Sequence, residues 1–298
     1  MKILLTGSNG LLGQKLVKLI TNQSNHDLIA TARGKNRLTD GNYTFKSLDI
    51  TKREEVDQAI DALKPDVIIN TAAMTNVDFC EADKEGCDAL NIDAVEHLIK
   101  ACERNNTFLI HLSTDFIFDG ENGPYDEEAQ PNPLSYYGES KLKSEELVKA
   151  SGIDWAIVRT VLVYGIAENM SRSNIILWVK KSLEDQIHIN VVDDQWRTPT
   201  LAEDLAKGCL LIAEKKAKGV FNISGKDLLT PYEMAIKTAD YFQLDKKYIT
   251  KTNGSKFKQV AKRPAKTGFK LNKAVKELNY APVSFEEGIA ILTDQITD

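Results

Sequence analysis

Short apolar runs alternate along the first half of the chain with longer stretches whose apolar residues recur at helical spacing. The runs at 2–6, 28–32, 44–48, 67–70, 108–112 and 156–159 have strand length. Between them, sets such as Leu12, Leu16, Leu19 and Ile20, or Ala94, Leu98 and Ala101, predict helices with one apolar face. The run Val-Ile-Ile-Asn at 67–70 is nearly continuous rather than alternating, as expected of a strand buried on both faces. Strands and helices taken in turn predict an α/β fold, a doubly wound parallel sheet covered on both sides. Residues 120–136 are polar and carry three prolines, which predicts a loop ended by a helix starting near Leu134 or Ser135. Past residue 165 the alternation weakens. Helices are expected near 173–184, 201–215 and 231–244, with strand-like pieces at 187–192 and 220–223. The expected organisation is a domain of residues 1–165, with 193–225 returning to it. A smaller domain would be built from 166–192 and 226–298.

Composition narrows the function classes without choosing one. With 42% apolar and 27% charged residues, the 298-residue chain can bury a sizeable core. A net charge of −5 argues against a nucleic-acid partner, while the Lys-rich stretch at 246–270 reads as a solvated face or a pocket for an anion. The opening residues MKILLTGSNGLLG lack the features of a signal peptide, and no apolar run approaches membrane-spanning length. Cys80, Cys87, Cys102 and Cys209 have no metal-ligand spacing, so a reduced, cytoplasmic chain is expected. The four histidines are not spaced for a metal either, and His111, inside a strand pattern, reads as core or site wall.

The turn after the first strand carries the first chemical signal. Thr6-Gly7-Ser8-Asn9-Gly10-Leu11-Leu12-Gly13 spaces three glycines as GxxGxxG between a strand and a helix. Gly7 would allow the tight turn, Gly10 the approach of a pyrophosphate, and Gly13 the close packing of helix on strand. The helix start would supply N–H donors, including those of Leu11 and Leu12, for the phosphates. These are the marks of a dinucleotide site in a Rossmann-like sheet. At the end of the second strand the sequence reads Ala-Thr-Ala-Arg, with Arg33 where an acid would hold the ribose of NAD. That favours NADPH and leaves NADH open. Asp49 and Ile50, after the third strand, sit where adenine would be read; Asp49 could equally start a helix, and Thr51 competes for that role.

The second signal is Tyr137 with Lys141 four residues on, hence on one face of the predicted helix. A nearby ammonium can lower a tyrosine's pKa toward neutrality. Upstream, the strand at 108–112 ends in Ser-Thr-Asp, which places the Thr114 hydroxyl at the carboxyl end of the sheet. TGSNGLLG, NTAAMTNVDFCE at 70–81, Asn91, LSTDFIFDG at 112–120 and YYGESK at 136–141 together resemble the extended short-chain dehydrogenases/reductases. More narrowly, STDFIFDG, VVDDQWRTPT at 191–200 and KRPAKTGFKLNK at 262–273 are similar to the dTDP-4-dehydrorhamnose reductase family. The resemblance implies NADPH-dependent reduction of the C4 keto group of a nucleotide sugar, a step toward cell-surface polysaccharide precursors. It implies that Lys141 holds the nicotinamide ribose, that Tyr137 gives a proton to the forming alkoxide, and that Thr114 donates to the same oxygen. Ala72, Ala73, Met74 and Asn91 would join the cofactor site, and Asp115 and Phe116 would face the sugar. Arg197, Lys262 and Arg263 are candidates for the diphosphate. The resemblance leaves a homodimer and magnesium open, and no carboxylate cluster in the sequence predicts the metal.

Two departures from the family pattern bear on the substrate. A small residue and a tryptophan usually follow the Arg-Thr that ends the sixth strand; here they are Val161 and Leu162, so Leu162 takes the sugar-facing place. The segment usually written DQxGxPT reads Asp-Gln-Trp-Arg-Thr-Pro-Thr, with Trp196 and Arg197 new to it. Trp196 could restore the missing platform or could be core. Related dehydratases place Asp-Glu after the threonine, whereas Asp115 is followed by Phe116, which argues against elimination. Related epimerases keep NAD, against which Arg33 stands. A non-catalytic relative, the regulatory beta subunit of methionine adenosyltransferase, gives the alternative: an NADP-binding partner protein.

Overall fold

A computed structural model describes residues 1–38, 40–169, 173–256 and 260–297. Its first half runs β1 (Lys2–Thr6), α1 (Leu11–Gln23), β2 (Asp27–Ala32), β3 (Thr44–Ser47), α2 (Arg53–Leu63) and β4 (Val67–Asn70). Next come α3 (Val77–Ala82), α4 (Lys84–Asp88), a π-helical turn (Ala89–Asp93), α5 (Ala94–Asn105) and β5 (Phe108–Thr114). A short 3₁₀ turn (Asp115–Ile117) leads toward α6 (Tyr136–Ala150) and β6 (Trp155–Thr160). The second half holds β7 (Val163–Tyr164), α7 (Ile175–Glu184), β8 (Ile189–Val192), β9 (Thr200–Leu201), α8 (Ala202–Lys215), β10 (Gly219–Asn222), α9 (Pro231–Tyr241), β11 (Ile249–Thr252) and α10 (Phe285–Thr297).

Seven parallel strands form the central sheet in the order β3-β2-β1-β4-β5-β6-β10, so the chain reverses direction across the sheet between β1 and β4. This is the doubly wound α/β arrangement that the alternation requires, and its crevice opens at the strands' carboxyl ends beside that reversal. Successive side chains of one strand serve opposite faces. Ile3 and Leu5 of β1 join Val67, Ile69, Phe108 and Ile110 under α1 and α8. Leu4, Ile68, Leu109 and Ile157 pack instead with Val56, Leu98, Ala101 and Val148 of α2, α5 and α6.

Thr230 caps α9 through a capping box with Glu233, and Pro231 opens the helix. Two smaller apolar clusters lie away from the sheet, one joining α7, α9 and α10, the other gathering β8 and β11 with α7 and α9. Ala274, Leu278 and Tyr280 nevertheless pack into the sheet's own core cluster. The amphipathic helix α10 and the short strand β11 have no counterpart in the pattern reading; β11 lies in the Lys-rich stretch, where too few apolar residues mark a strand. All four cysteines are free and buried. Among the described residues no helix is long and apolar enough to cross a membrane.

Candidate active site

Three adjoining cavities of about 220, 580 and 530 Å³ form a groove at the carboxyl ends of the central strands, and Gly10 lines all three. Gly7 adopts φ +70°, and a Cβ there would stand 2.8 Å from both Ala72 N and Thr71 Oγ1. A Cβ on Gly13 would run into Gly7 O and, at 2.6 Å, Ser8 Cα. The glycine at the N-cap of α1, Gly10, offers no side-chain cap, and the first turn carries no acid. The helix start, with Leu11 and Leu12 on the groove, is therefore left to serve an anion. Ser8 Oγ is buried with no partner among the described residues, a further polar atom at the turn. These features fit a dinucleotide.

Other expected cofactor residues divide into groove and scaffold. Arg33, Asp49, Ile50, Ala72 and Ala73 line the first cavity. Asp49 Oδ1 accepts from Thr51 N at 3.1 Å and Thr51 Oγ1 at 2.7 Å. Burial pushes its carboxyl up, but the Thr51 hydrogen bonds and the charges of Arg33 and Lys52 bring it below the ordinary range. Asn9 lines the groove, yet its amide is committed to Lys35 O at 2.9 Å and Arg37 N at 3.0 Å, so it pins the loop after β2. That loop presents Arg33, Lys35 and Arg37, all exposed, and Arg37 reaches the third cavity. Sequence reading found only Arg33, because nothing local ties 35 and 37 to the turn. Asn91 lies behind the groove. Its Oδ1 accepts from Met74 N at 2.8 Å, and its Nδ2 donates to Met74 O at 3.1 Å and Ser140 Oγ at 3.0 Å. Asn91 thus holds the segment around Met74, whose side chain packs among Cys80, Cys87 and Tyr137.

Thr114, Tyr137 and Lys141 meet on the second cavity. Ser135 caps α6 through Gly138 N at 3.3 Å, and a Cβ on Gly138 would strike Phe116 O, so the helix start lies tight against the turn after β5. The Phe116 ring packs edge-on to Tyr137 at 5.8 Å. Tyr136, by contrast, lies under Lys84 and donates to Asp88 at 2.7 Å, and that carboxylate, with burial, pushes its phenol up to about 12.

The pKa of Tyr137 is not lowered as expected. Burial pushes it well above the ordinary range, a hydrogen bond with Thr114 opposes this, and Asp115 and Cys80 add to the rise. Lys141 is itself fully buried, and that burial brings it down to about 8 against the pull of Glu145. Its Nζ lies 3.1 Å from His111 Nε2. A phenol that keeps its proton at neutral pH suits an acid.

On the sugar side the structure corrects several assignments. Asp115 lines the cavity, but its carboxylate takes Thr114 Oγ1 at 3.2 Å and Thr267 Oγ1 at 2.5 Å, with Arg197 Nε at 3.7 Å. Arg197 is buried and donates to Trp196 O and Pro264 O, each at 2.7 Å. It braces the 264–267 segment and is closed to a diphosphate. Trp196 is 36% exposed and lies outside the groove's lining, its backbone paired with Ala265 and Thr267. Arg263 is held by Asp78 at 2.7 Å. Lys262 is exposed, with no ion pair among the described residues.

Leu162 does line the second and third cavities, 44% exposed and at φ +37°, a left-handed conformation unusual for leucine. Thr71, Ser113 and Thr160 also line the second cavity and were not singled out. Each is a hydroxyl at or just past the carboxyl end of an apolar strand, a signal the sequence does carry. Among the described residues no group of three His, Cys, Asp or Glu side chains could hold a metal.

Comparison with known proteins adds three findings. The family model described as the RmlD substrate binding domain matches residues 1–297. The methionine adenosyltransferase 2 subunit beta of Bos taurus is 33% identical over 253 residues, which cover 83% of this chain and 74% of that one. Among solved structures, a dTDP-4-dehydrorhamnose reductase of Clostridium acetobutylicum superposes with a TM-score of 0.88 at 30% identity over the whole of both chains. The Bacillus anthracis dTDP-4-dehydrorhamnose reductase, solved with NADP, gives 0.83 at 25% identity over 99% of each chain.

Proposed function

The chain belongs to the RmlD substrate-binding domain family, and on that premise we propose that it reduces the C4 keto group of a nucleotide-linked deoxysugar with NADPH, in the manner of dTDP-4-dehydrorhamnose reductase. The observation that carries this reading is the convergence of Thr114, Tyr137 and Lys141 on the same cavity as the start of α1. The nicotinamide, when bound, supplies the hydride. The glycine turn and the N–H groups of Leu11 and Leu12 bind the pyrophosphate, while Ala72 and Ala73 wall the groove. Arg33, with Lys35 and Arg37, selects the 2′-phosphate of NADPH. Thr114 turns its hydroxyl from Asp115 to donate to the sugar oxygen as charge builds on it, and Tyr137, protonated at neutral pH, gives that oxygen its proton. Lys141 orients the ribose beside them. Leu162 and Phe116 offer an apolar wall to the sugar, and Lys262 is available to the diphosphate. We assign residues 1–165 with 193–225 to the cofactor domain and the remainder to the substrate lobe.

The test is loss of the reduced nicotinamide absorbance with dTDP-4-dehydro-6-deoxy-L-mannose. Turnover that disappears in Tyr137→Phe is expected. Tight NADPH binding without turnover would overturn the reading.

That second outcome would favour a regulatory partner like the methionine adenosyltransferase beta subunit. The observation on its side is Leu162 standing where reductases carry an aromatic, together with a buried Arg197.

A further inference from the structure

The carboxylate of Asp115 lies one residue past Thr114, 2% exposed, and is held from two sides. On one side Oδ2 accepts from Thr267 Oγ1 at 2.5 Å and faces Arg197 Nε at 3.7 Å. On the other, Oδ1 accepts from Thr114 Oγ1 at 3.2 Å, which is long for a hydroxyl meeting a carboxylate. Thr114 Oγ1 itself accepts from Phe116 N at 3.3 Å, so the oxygen is fixed while its proton points at Asp115. Arg197 is tied down in turn, its side chain 7% exposed. Nη1 donates to Trp196 O at 2.7 Å and Ala265 O at 3.3 Å, and Nη2 donates to Pro264 O at 2.7 Å. Among the described residues Arg197 is the cation paired with Asp115, and it stands where the chain departs from the family's segment.

We propose that Arg197 is a positioning residue which, with Thr267, draws the Asp115 carboxylate toward the 264–267 segment and so leaves the Thr114 hydroxyl loosely held and free to turn to the sugar oxygen. A buried carboxylate with no cation beside it takes the strongest donor within reach. For Asp115 that donor would be Thr114, the hydroxyl the reaction needs. The guanidinium and the Thr267 hydroxyl both engage Oδ2, and negative charge drawn to that oxygen makes Oδ1 the weaker acceptor. The Thr114 proton can then leave Oδ1 at small cost, while the Phe116 N–H keeps the oxygen in place as the proton swings. The catalytic consequence rests on the reductase reading; the placement of Asp115 and Thr114 does not.

The experiment compares the whole wild-type chain with Arg197→Met and with Arg197→Met/Asp115→Asn, each carrying ¹³C-methyl threonine. The Thr114 methyl signal is assigned by its loss in Thr114→Ser. Thr267→Val, which keeps the shape and removes the other hold on Oδ2, takes the place of Arg197→Met if that variant does not fold. In either single variant the Thr114 signal should move. The kcat for reduction should fall at least about tenfold with the Kd for NADPH unchanged, short of the roughly hundredfold loss expected on removing the hydroxyl itself. Adding Asp115→Asn should return the signal and recover most of kcat, because an amide oxygen has no charge with which to grip the hydroxyl. An unmoved signal, an unchanged kcat in a chain that turns over, or a loss that persists with Asp115→Asn overturns the proposal. The last would show only a collapsed 264–267 segment. A signal that moves and returns in a chain that reduces no sugar leaves the positioning intact and defeats the reductase reading alone.

Discussion

Replacing Glu145 with leucine should destabilise the protein by about 3–5 kcal/mol, the loss expected when one partner of a buried ion pair is removed. The Glu145 and Arg159 side chains are 0% and 2% exposed. Arg159 grips the carboxylate with Nε at 3.0 Å and Nη2 at 2.8 Å, gives Nη1 to Glu127 O at 3.0 Å, and lies 5.4 Å over the Phe118 ring. This fork fastens α6, and with it Tyr137 and Lys141, onto β6. Without Glu145 the guanidinium stays buried, with its charge uncompensated. The double variant Glu145→Leu/Arg159→Leu removes both charges and should cost less than either single change. Urea unfolding of the three variants, compared by midpoint at constant slope, measures the coupling. A single-variant loss below about 1 kcal/mol, or a double-variant loss equal to the sum of the singles, would refute the argument. The pH dependence has a definite sign. Burial pushes Glu145 up, but Arg159 holds it below the ordinary glutamate range. Its stabilisation is therefore complete above that range and fades as pH falls through the depressed value, so wild type and Glu145→Leu should converge in acid.

Gly13→Ala places a methyl against Gly7 O and Ser8 Cα. It should cost about 1–3 kcal/mol by overpacking and at least about tenfold in NADPH affinity, read by unfolding and by cofactor fluorescence. Arg33→Ala should weaken NADPH by about tenfold, the order expected of one charge-assisted hydrogen bond, while leaving NADH unchanged. Thr114→Val removes the donor beside Tyr137 and should lower kcat by about a hundredfold with a smaller effect on KM, measured by steady-state kinetics.

The sheet was legible because its strands are apolar on both faces and its helices on one. The runs at 2–6 and 67–70 became β1 and β4 with the same ends, and the reading at 108–112 fell two residues short of the end of β5. The glycine turn and the Tyr137–Lys141 pair were legible because their chemistry lies within a few residues. What the pattern could not reach depends on contacts between distant segments. Arg197 looked like a free cation until Pro264, nearly seventy residues on, supplied its acceptor. Asn91 looked like a groove residue until Met74 and Ser140 closed on its amide. Tyr137 was expected to be acidified by Lys141, but both are buried and burial outweighs proximity.

Transfer of deuterium from reduced, C4-deuterated NADPH to the sugar tests the central claim most directly. With a dTDP-4-dehydro-6-deoxyhexose as substrate, the account predicts a reduced nucleotide sugar one mass unit heavier, its deuterium at C4, from the wild-type chain. Tyr137→Phe should yield almost none while still binding the cofactor. Bound NADPH with no label in the sugar from wild type, or equal labelling by Tyr137→Phe, would contradict the account.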